Sequence, residues 1–245
     1  MQRYQMWVQY DGTDYCGFQR QPQDPTIQGA LESVLSQLAA GPVGVVGAGR
    51  TDSGVHARQQ CVHFDADLSV PLKRLPLAVN GLLPPDIRVM AAEYAREGFH
   101  ARYDALEKTY CYQIWQGPYA DVFWRRYSLW QKDPLDWAAV EEAAAVLRGT
   151  RSFASFAAAG GSAKTTVRTL RRLEIAQRGP LACLYFTADG FLYNMVRNMV
   201  GTLLEVARGK QPAQWVDNVL AAEDRSAAGP TAPGHGLVLE EVKYP

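Results

Sequence analysis

The sequence predicts an α+β fold of two lobes, each one β-α-β-β-α-β unit, with adjoining antiparallel sheets and a cleft between them. Three observations predict it. Apolar residues alternate at period two and then at period 3.6, in the same order in both halves of the chain. Helical stretches open on capping or proline residues, and strand-like stretches stop at Gly, Asp or Pro. The 245 residues, 47% of them hydrophobic, suffice for one large core or two smaller ones.

In the first half, residues 6–10 alternate like a strand and stop at Asp11-Gly12. Thr26 reads as the N-cap of a helix over 27–38, with Ile27, Leu31, Val34, Leu35 and Leu38 on one face. Residues 43–46 and 59–65 fit strands, 72–82 a helix started by Pro71, and 87–94 another strand.

The second half repeats this order. Residues 109–115 read as a strand, and Asp133-Pro134 as the start of a helix carrying Trp137, Val140, Ala144 and Leu147. Strands over 169–176 and 181–187 are joined across Gln177-Arg178-Gly179-Pro180, a hairpin signal. Helices fit 191–207 and 212–221, and 237–242 is the last strand. Each half is thus a split βαβ, ferredoxin-like lobe, one over residues 1–105 and the other over 106–245. A cleft between lobes is a usual place for a site.

Composition narrows the class. No apolar run approaches the roughly 20 residues that span a bilayer. The start, Met1-Gln2-Arg3-Tyr4-Gln5, leads straight into strand-like sequence without a signal peptide. Cysteines 16, 61, 111 and 183 stand alone, without CxxC or metal-ligand spacing, and read as thiols of a reducing cytoplasm. The expectation is a soluble cytosolic protein. Net charge is zero, yet residues 148–178 hold seven bases against Glu174 alone, a local +6. Arginines outnumber lysines 19 to 6, and the planar guanidinium suits phosphate contacts and stacking on bases. On charge alone the same residues equally suit a solvated face.

The densest chemistry lies at residues 49–57, Gly-Arg-Thr-Asp-Ser-Gly-Val-His-Ala. If this stretch is extended, Arg50 and Asp52 point the same way, and the guanidinium keeps the carboxylate ionised and oriented. The same tripeptide also suits a surface turn with a local ion pair. In the helix over 191–207, Met195, Met199, Val200 and Leu203 form the apolar face. Asn194, Arg197, Asn198, Gly201 and Glu205 form another, so Arg197 is either solvated or aimed into the cleft toward Asp52. Tyr110 and Tyr112 share a strand face beside Lys108, fit for packing or for stacking on a planar substrate. Phe99-His100-Ala101-Arg102 lies at the hinge, where His100 or Arg102 meets phosphate or bonds between lobes. His56 follows Asp52 by four residues, but Gly54 intervenes and no third ligand is evident, which argues against a metal. The Gly/Pro-rich residues 229–236 read as a shaped loop. No dinucleotide fingerprint, Walker loop, nucleophile elbow or HExxH occurs, which disfavours nucleotide cofactors, phosphoryl transfer and serine or zinc hydrolysis.

Together these segments resemble the tRNA pseudouridine synthase A (TruA) family. The matching pieces are Tyr10-Asp11-Gly12-Thr13 with Gly17-Phe18-Gln19-Arg20-Gln21, then residues 49–57, 99–102, 108–112, 194–201 and 230–239. They cover the chain from end to end in the family's order. The Gly-Arg-Thr-Asp-x-Gly-Val-His-Ala string and the Val-Arg-Asn-Met-Val-Gly string are highly specific. Phe18 stands where tryptophan is common, Ser53 where alanine is common, and Lys108-Thr109 where two bases often stand.

The resemblance implies an enzyme that isomerises uridine to pseudouridine at positions 38 to 40 of the tRNA anticodon stem-loop. It implies a homodimer without cofactor or metal, with one tRNA contacting both subunits. By position, Asp52 is the catalytic carboxylate, Tyr110 packs on the target base, and Arg197 pairs with Asp52. Arg50, His56, Arg102, Lys108 and Leu237 are the expected substrate contacts. Arg20, Arg58, Arg168, Arg171 and Arg172 are the expected RNA contacts. Two other readings stay open: a non-catalytic RNA-binding module, and a carboxylate-dependent glycosidase or nucleosidase, which usually needs two opposed carboxylates.

Overall fold

The computed structural model describes all 245 residues. Their contacts divide the chain into two compact units, Met1–Leu106 with Val238–Pro245, and Glu107–Leu237. The fold is mixed α+β with mostly antiparallel strands, and no helix is long and apolar enough to cross a membrane.

The first unit runs β1 (Gln2–Tyr10), α1 (Ile27–Leu38), β2 (Val45–Gly47), β3 (His56–Ala66), α2 (Leu75–Asn80) and β4 (Ile87–Tyr94). Strand β1 is central. It pairs antiparallel with β3, Tyr4 opposite Phe64 and Met6 opposite Val62, and with β4, Val8 opposite Val89. Its alternate residues Tyr4, Met6, Val8 and Tyr10 are buried, as a half-buried strand requires. The outer edge of β3 is shared. β2 takes its far end, Val45 opposite Phe64, while β10 (Leu237–Lys243) runs parallel beside its start, Val238 opposite His56. The closing strand, which in sequence ends the second half, is therefore part of the first unit from Val238 onward.

Helix α1 begins where predicted, because the Thr26 hydroxyl accepts the Gly29 N–H at 3.2 Å. Its stripe Ile27, Leu31, Val34 and Leu35 is buried. The expected helix over 72–82 is instead a 3₁₀ turn, Leu72–Arg74, followed by a six-residue α2. Pro76 is the cause: it has no N–H to carry an α-ladder through the first turn, so Leu75 N–H closes onto Leu72 O.

The second unit contains β5 (Glu107–Gln116), β6 (Leu129–Gln131), α3 (Trp137–Leu147), β7 (Gly149–Ser152), β8 (Val167–Arg178), β9 (Leu181–Ala188), α4 (Met195–Ala207) and α5 (Trp215–Ala222). Antiparallel pairing gives the order β5-β9-β8-β7, and β6 lies parallel on β5. The β8–β9 hairpin turns where expected, with Gly179 at φ +59°. Helix α3 starts three residues later than Pro134, because Asp136 is the residue whose carboxylate caps Ala139 N–H at 3.0 Å. A register shift between Leu170 and Arg172 lets Leu170 and Leu173 both face inward and leaves Arg171 and Arg172 both outside.

Helix α4 begins at Met195, not at residue 191, after Asn194 in a left-handed conformation, φ +58°. The face that carries Arg197, Asn198 and Gly201 is packed. Asn198, Gly201 and Thr202 are buried beneath residues 229–232. Thr202 Oγ1 accepts Gly229 N–H at 2.9 Å, Asn198 Oδ1 accepts the Thr231 hydroxyl at 2.6 Å, and Arg197 O accepts Ala232 N–H at 3.1 Å. A Cβ on Gly201 would stand 1.6 Å from Pro230 O, so only glycine admits the strand of loop there. Gly201→Ala is expected to lower stability by about 2 kcal/mol or more through overpacking. Urea unfolding measures this, and an unshifted midpoint would show that the loop does not bind that face.

Candidate active site

In the first unit the site is a backbone built around Asp52. Residues 10–18 lie directly on residues 51–55, and two glycines set the spacing. A Cβ on Gly12 would stand 2.1 Å from Val55 O, and one on Gly17 would stand 2.7 Å from Thr51 O. Gly17 also holds φ +89°, a region that side-chain-bearing residues avoid. Phe18 N–H donates to Thr51 O at 3.0 Å, and the Ser53 hydroxyl donates to Tyr15 O at 3.2 Å. Asp52 opens a turn closed by Val55 N–H to Asp52 O at 3.1 Å, with Gly54 at φ +74° supplying the positive-φ residue.

Beneath it, Tyr10 OH meets Thr51 Oγ1 at 2.8 Å, and Gln60 Nε2 donates to Gly49 O at 3.0 Å. Burial pushes the Tyr10 phenol up to about 12, so it stays protonated as a donor or acceptor. Thr51 is buried, whereas the Asp52 side chain is half-exposed. The loop thus presents one carboxylate on a backbone fixed from both sides.

His56 is buried under this loop. Two groups meet its Nδ1: Gly12 N–H at 3.0 Å and Asp11 Oδ1 at 3.1 Å. His56 therefore supports the Gly12 contact. Arg50 and Arg102 are both exposed and line one cavity of about 190 Å³ with Phe18, Gln19, Gln28, Val45, Val46, Gly47 and Gly49. Asp52 is not in that lining. Arg20 reaches Glu32 at 3.2 Å, and Arg58 donates to Glu240 at 3.2 Å, so these two expected RNA contacts each carry an acid beside them.

In the second unit, Tyr110 is buried, its ring meeting Phe191 edge-on at 5.1 Å between centroids. Lys108, on the same strand, is half-buried. Arg197 is held by its own neighbours, Nε donating to Ala232 O at 2.7 Å and Nη1 to Asn194 Oδ1 at 2.9 Å. Those bonds fix the guanidinium plane and tie it to the 229–236 loop. Tyr112, two residues from Tyr110, serves that loop too: its OH donates to Pro233 O at 2.9 Å, and a Cβ on Gly236 would meet its ring at 2.7 Å. Leu237 is buried at the loop's end. Of the basic residues, Arg168 Nη1 donates to Thr165 O at 3.0 Å, Arg171 pairs with Glu107, and Arg172 pairs with Glu174 at 2.7 Å. Arg172 also lies 5.2 Å from the Tyr185 ring centroid.

The family follows from comparison with known proteins. The model of a family described as tRNA pseudouridine synthase matches residues 6–104 and 143–245. The chain belongs to the tRNA pseudouridine synthase family. Curated relatives named tRNA pseudouridine synthase A include the following three. That of Halalkalibacterium halodurans is 48% identical over 97% of this chain and 91% of its own length. That of Syntrophomonas wolfei is 44% identical over 100% and 98%. That of Bacillus subtilis is 44% identical over 99% of each. Within this family's chain, the residues that the sequence does not single out as functional are the supports Tyr10, Gly12, Gly17 and Gln60, whereas Tyr112, read as packing or stacking on a substrate, packs on the 229–236 loop. Tyr10, Gly12 and Gly17 do fall in the blocks that carry the resemblance, which was the available signal.

One titrating group lies near the end of the first unit. His63 is buried, and burial, then the charge of His100, then that of Arg3, lower its pKa from 6.5 to about 4. The unfolded chain binds this proton more readily, so stability is complete above about pH 6.5 and falls as pH drops toward 4. Replacing His63 with Gln, which keeps an acceptor for Ala101 N–H, is expected to flatten that fall. Urea midpoints at pH 7 and pH 5 test it; an equal drop in both proteins would remove His63 as the cause.

Proposed function

We propose that Asp52, Tyr110 and Arg197 together isomerise uridine to pseudouridine in the anticodon stem-loop of tRNA, at positions 38 to 40. As a tRNA pseudouridine synthase the chain is an isomerase acting on uridine in tRNA. The finer reading is carried by one observation: the glycine-spaced loop that holds Asp52 half-exposed on a rigid backbone. The units, Met1–Leu106 with Val238–Pro245 and Glu107–Leu237, act as two ferredoxin-like lobes that close a catalytic cleft between them.

In this mechanism the uridine leaves its stack, which costs roughly a few kcal/mol and is offset by stacking and pocket contacts. The N1–C1′ bond breaks, the uracil turns, C5 bonds to C1′, C5 gives up its proton and N1 gains one. Asp52 acts as nucleophile at C1′ or as base at C2′. Arg197 keeps the carboxylate ionised, and Tyr110 packs on the base with its phenol as acceptor of the C5 proton. The retained uracil requires a closed pocket that excludes water. Arg50, Arg102, Lys108 and Leu237 contact the substrate, with His56 acting through the loop it supports. Arg20, Arg58, Arg168, Arg171 and Arg172 contact the RNA backbone. The working enzyme is a cytoplasmic homodimer whose single tRNA touches both subunits, without metal or cofactor.

Tritium release from C5-labelled tRNA tests the assignment. Asp52→Asn is expected to keep tRNA affinity within about threefold while release falls to background, since it removes the reacting charge and leaves the shape. Substantial release by the variant would overturn Asp52, and free uracil from the wild type would indicate a glycosidase instead.

A further inference from the structure

Residues 99–104 of the first unit form a turn that hydrogen bonds hold from several directions. Ala101 N–H donates to His63 Nδ1 at 3.1 Å, and Ala101 O accepts Tyr244 OH at 2.6 Å. His100 Nδ1 accepts the N–H groups of Arg102 and Tyr103 at 3.2 and 3.3 Å. Asp104 Oδ2 accepts His100 N–H at 3.1 Å and an Arg96 N–H at 2.9 Å. On this fixed turn Tyr103 is 76% exposed. One face of its ring lies on His100, with centroids 4.2 Å apart and planes 30° apart. The Arg102 guanidinium lies over the ring, 5.9 Å from its centroid, and also lines the cavity with Arg50, and no carboxylate is in that lining.

A large aromatic ring held by its neighbours and left in water loses little entropy on binding, and nothing in the mechanism above uses it. The exposed ring suits a planar base, whereas two guanidiniums beside a cavity without carboxylates suit a phosphate. Those two requirements meet in one ligand, an unpaired nucleotide. We propose that Tyr103 stacks an unpaired base of the RNA substrate other than the isomerised uridine, with that nucleotide's phosphate against Arg102 and Arg50. Tyr103 is then a binding residue that sets the register of the RNA on the first unit. The inference rests on the enzyme acting on RNA.

The test uses a uridine-free oligoribonucleotide carrying 2-aminopurine, whose fluorescence is quenched on stacking, with the full-length protein. Wild-type protein quenches it, Tyr103→Ala binds it about tenfold more weakly, and Tyr103→Trp keeps the affinity. On tRNA, Tyr103→Ala raises KM and leaves kcat and the melting temperature in place. Equal affinity of Tyr103→Ala and wild type would overturn the proposal, as would loss of affinity in Tyr103→Trp. So would a Tyr103→Ala change confined to self-association, which would make the ring a protein contact. Failure of the wild type to bind this probe while tritium release is normal sinks the stacking site alone; absent tritium release sinks the underlying function.

Discussion

The proposed site depends on a contact between main chains. Residues 10–18 press on residues 51–55 so closely that Gly12 and Gly17 leave no room for a Cβ. Such close approach turns a loop, ordinarily the mobile part of a fold, into a rigid mount. The buried Tyr10–Thr51–Gln60 bonds secure the same loop from below, and His56 secures Gly12. What the set fixes is where the Asp52 backbone stands. For a reaction that must hold a detached uracil over the sugar, fixed position matters more than any single bond.

The second unit repeats the strategy with different parts. Gly201 lets Pro230 O rest on helix α4, and Asn198, Thr202 and Arg197 bind the loop that follows through side chain and backbone. Tyr112 holds the next residues from the sheet side. Arg197 is thereby tied to a loop rather than left on a solvated helix face. A helix whose small and polar residues receive a loop loses the ordinary amphipathic distinction, and α4 is buried over most of its surface.

Much of the fold was legible because its signals are local. The Thr26 cap, the α1 stripe and the 177–180 hairpin each depend on a few neighbouring residues, and each formed where expected. β6 and β7 were not legible. Leu129–Gln131 and Gly149–Ser152 are short and carry no buried alternation; they are strands only because β5 and β8 offer an edge. The position of β10 was hidden for a similar reason, since nothing in 237–242 encodes a parallel partner at His56. At the candidate site, the motifs supply the proposed reactive residue types. Their supports were not legible, because the space denied to a Cβ on Gly12 or Gly201 is set by residues distant in the chain. The cover over helix α4 was hidden for that reason: periodicity reports which residues share a face, not what lies on it.

Turnover by Gly12→Ala bears most directly on the claim that a close main-chain contact positions Asp52. The account predicts that kcat on tRNA falls by about a hundredfold, because the added methyl group must push residues 51–55 away, while tRNA affinity is kept. Unchanged kcat in a variant that melts with the wild type would contradict it.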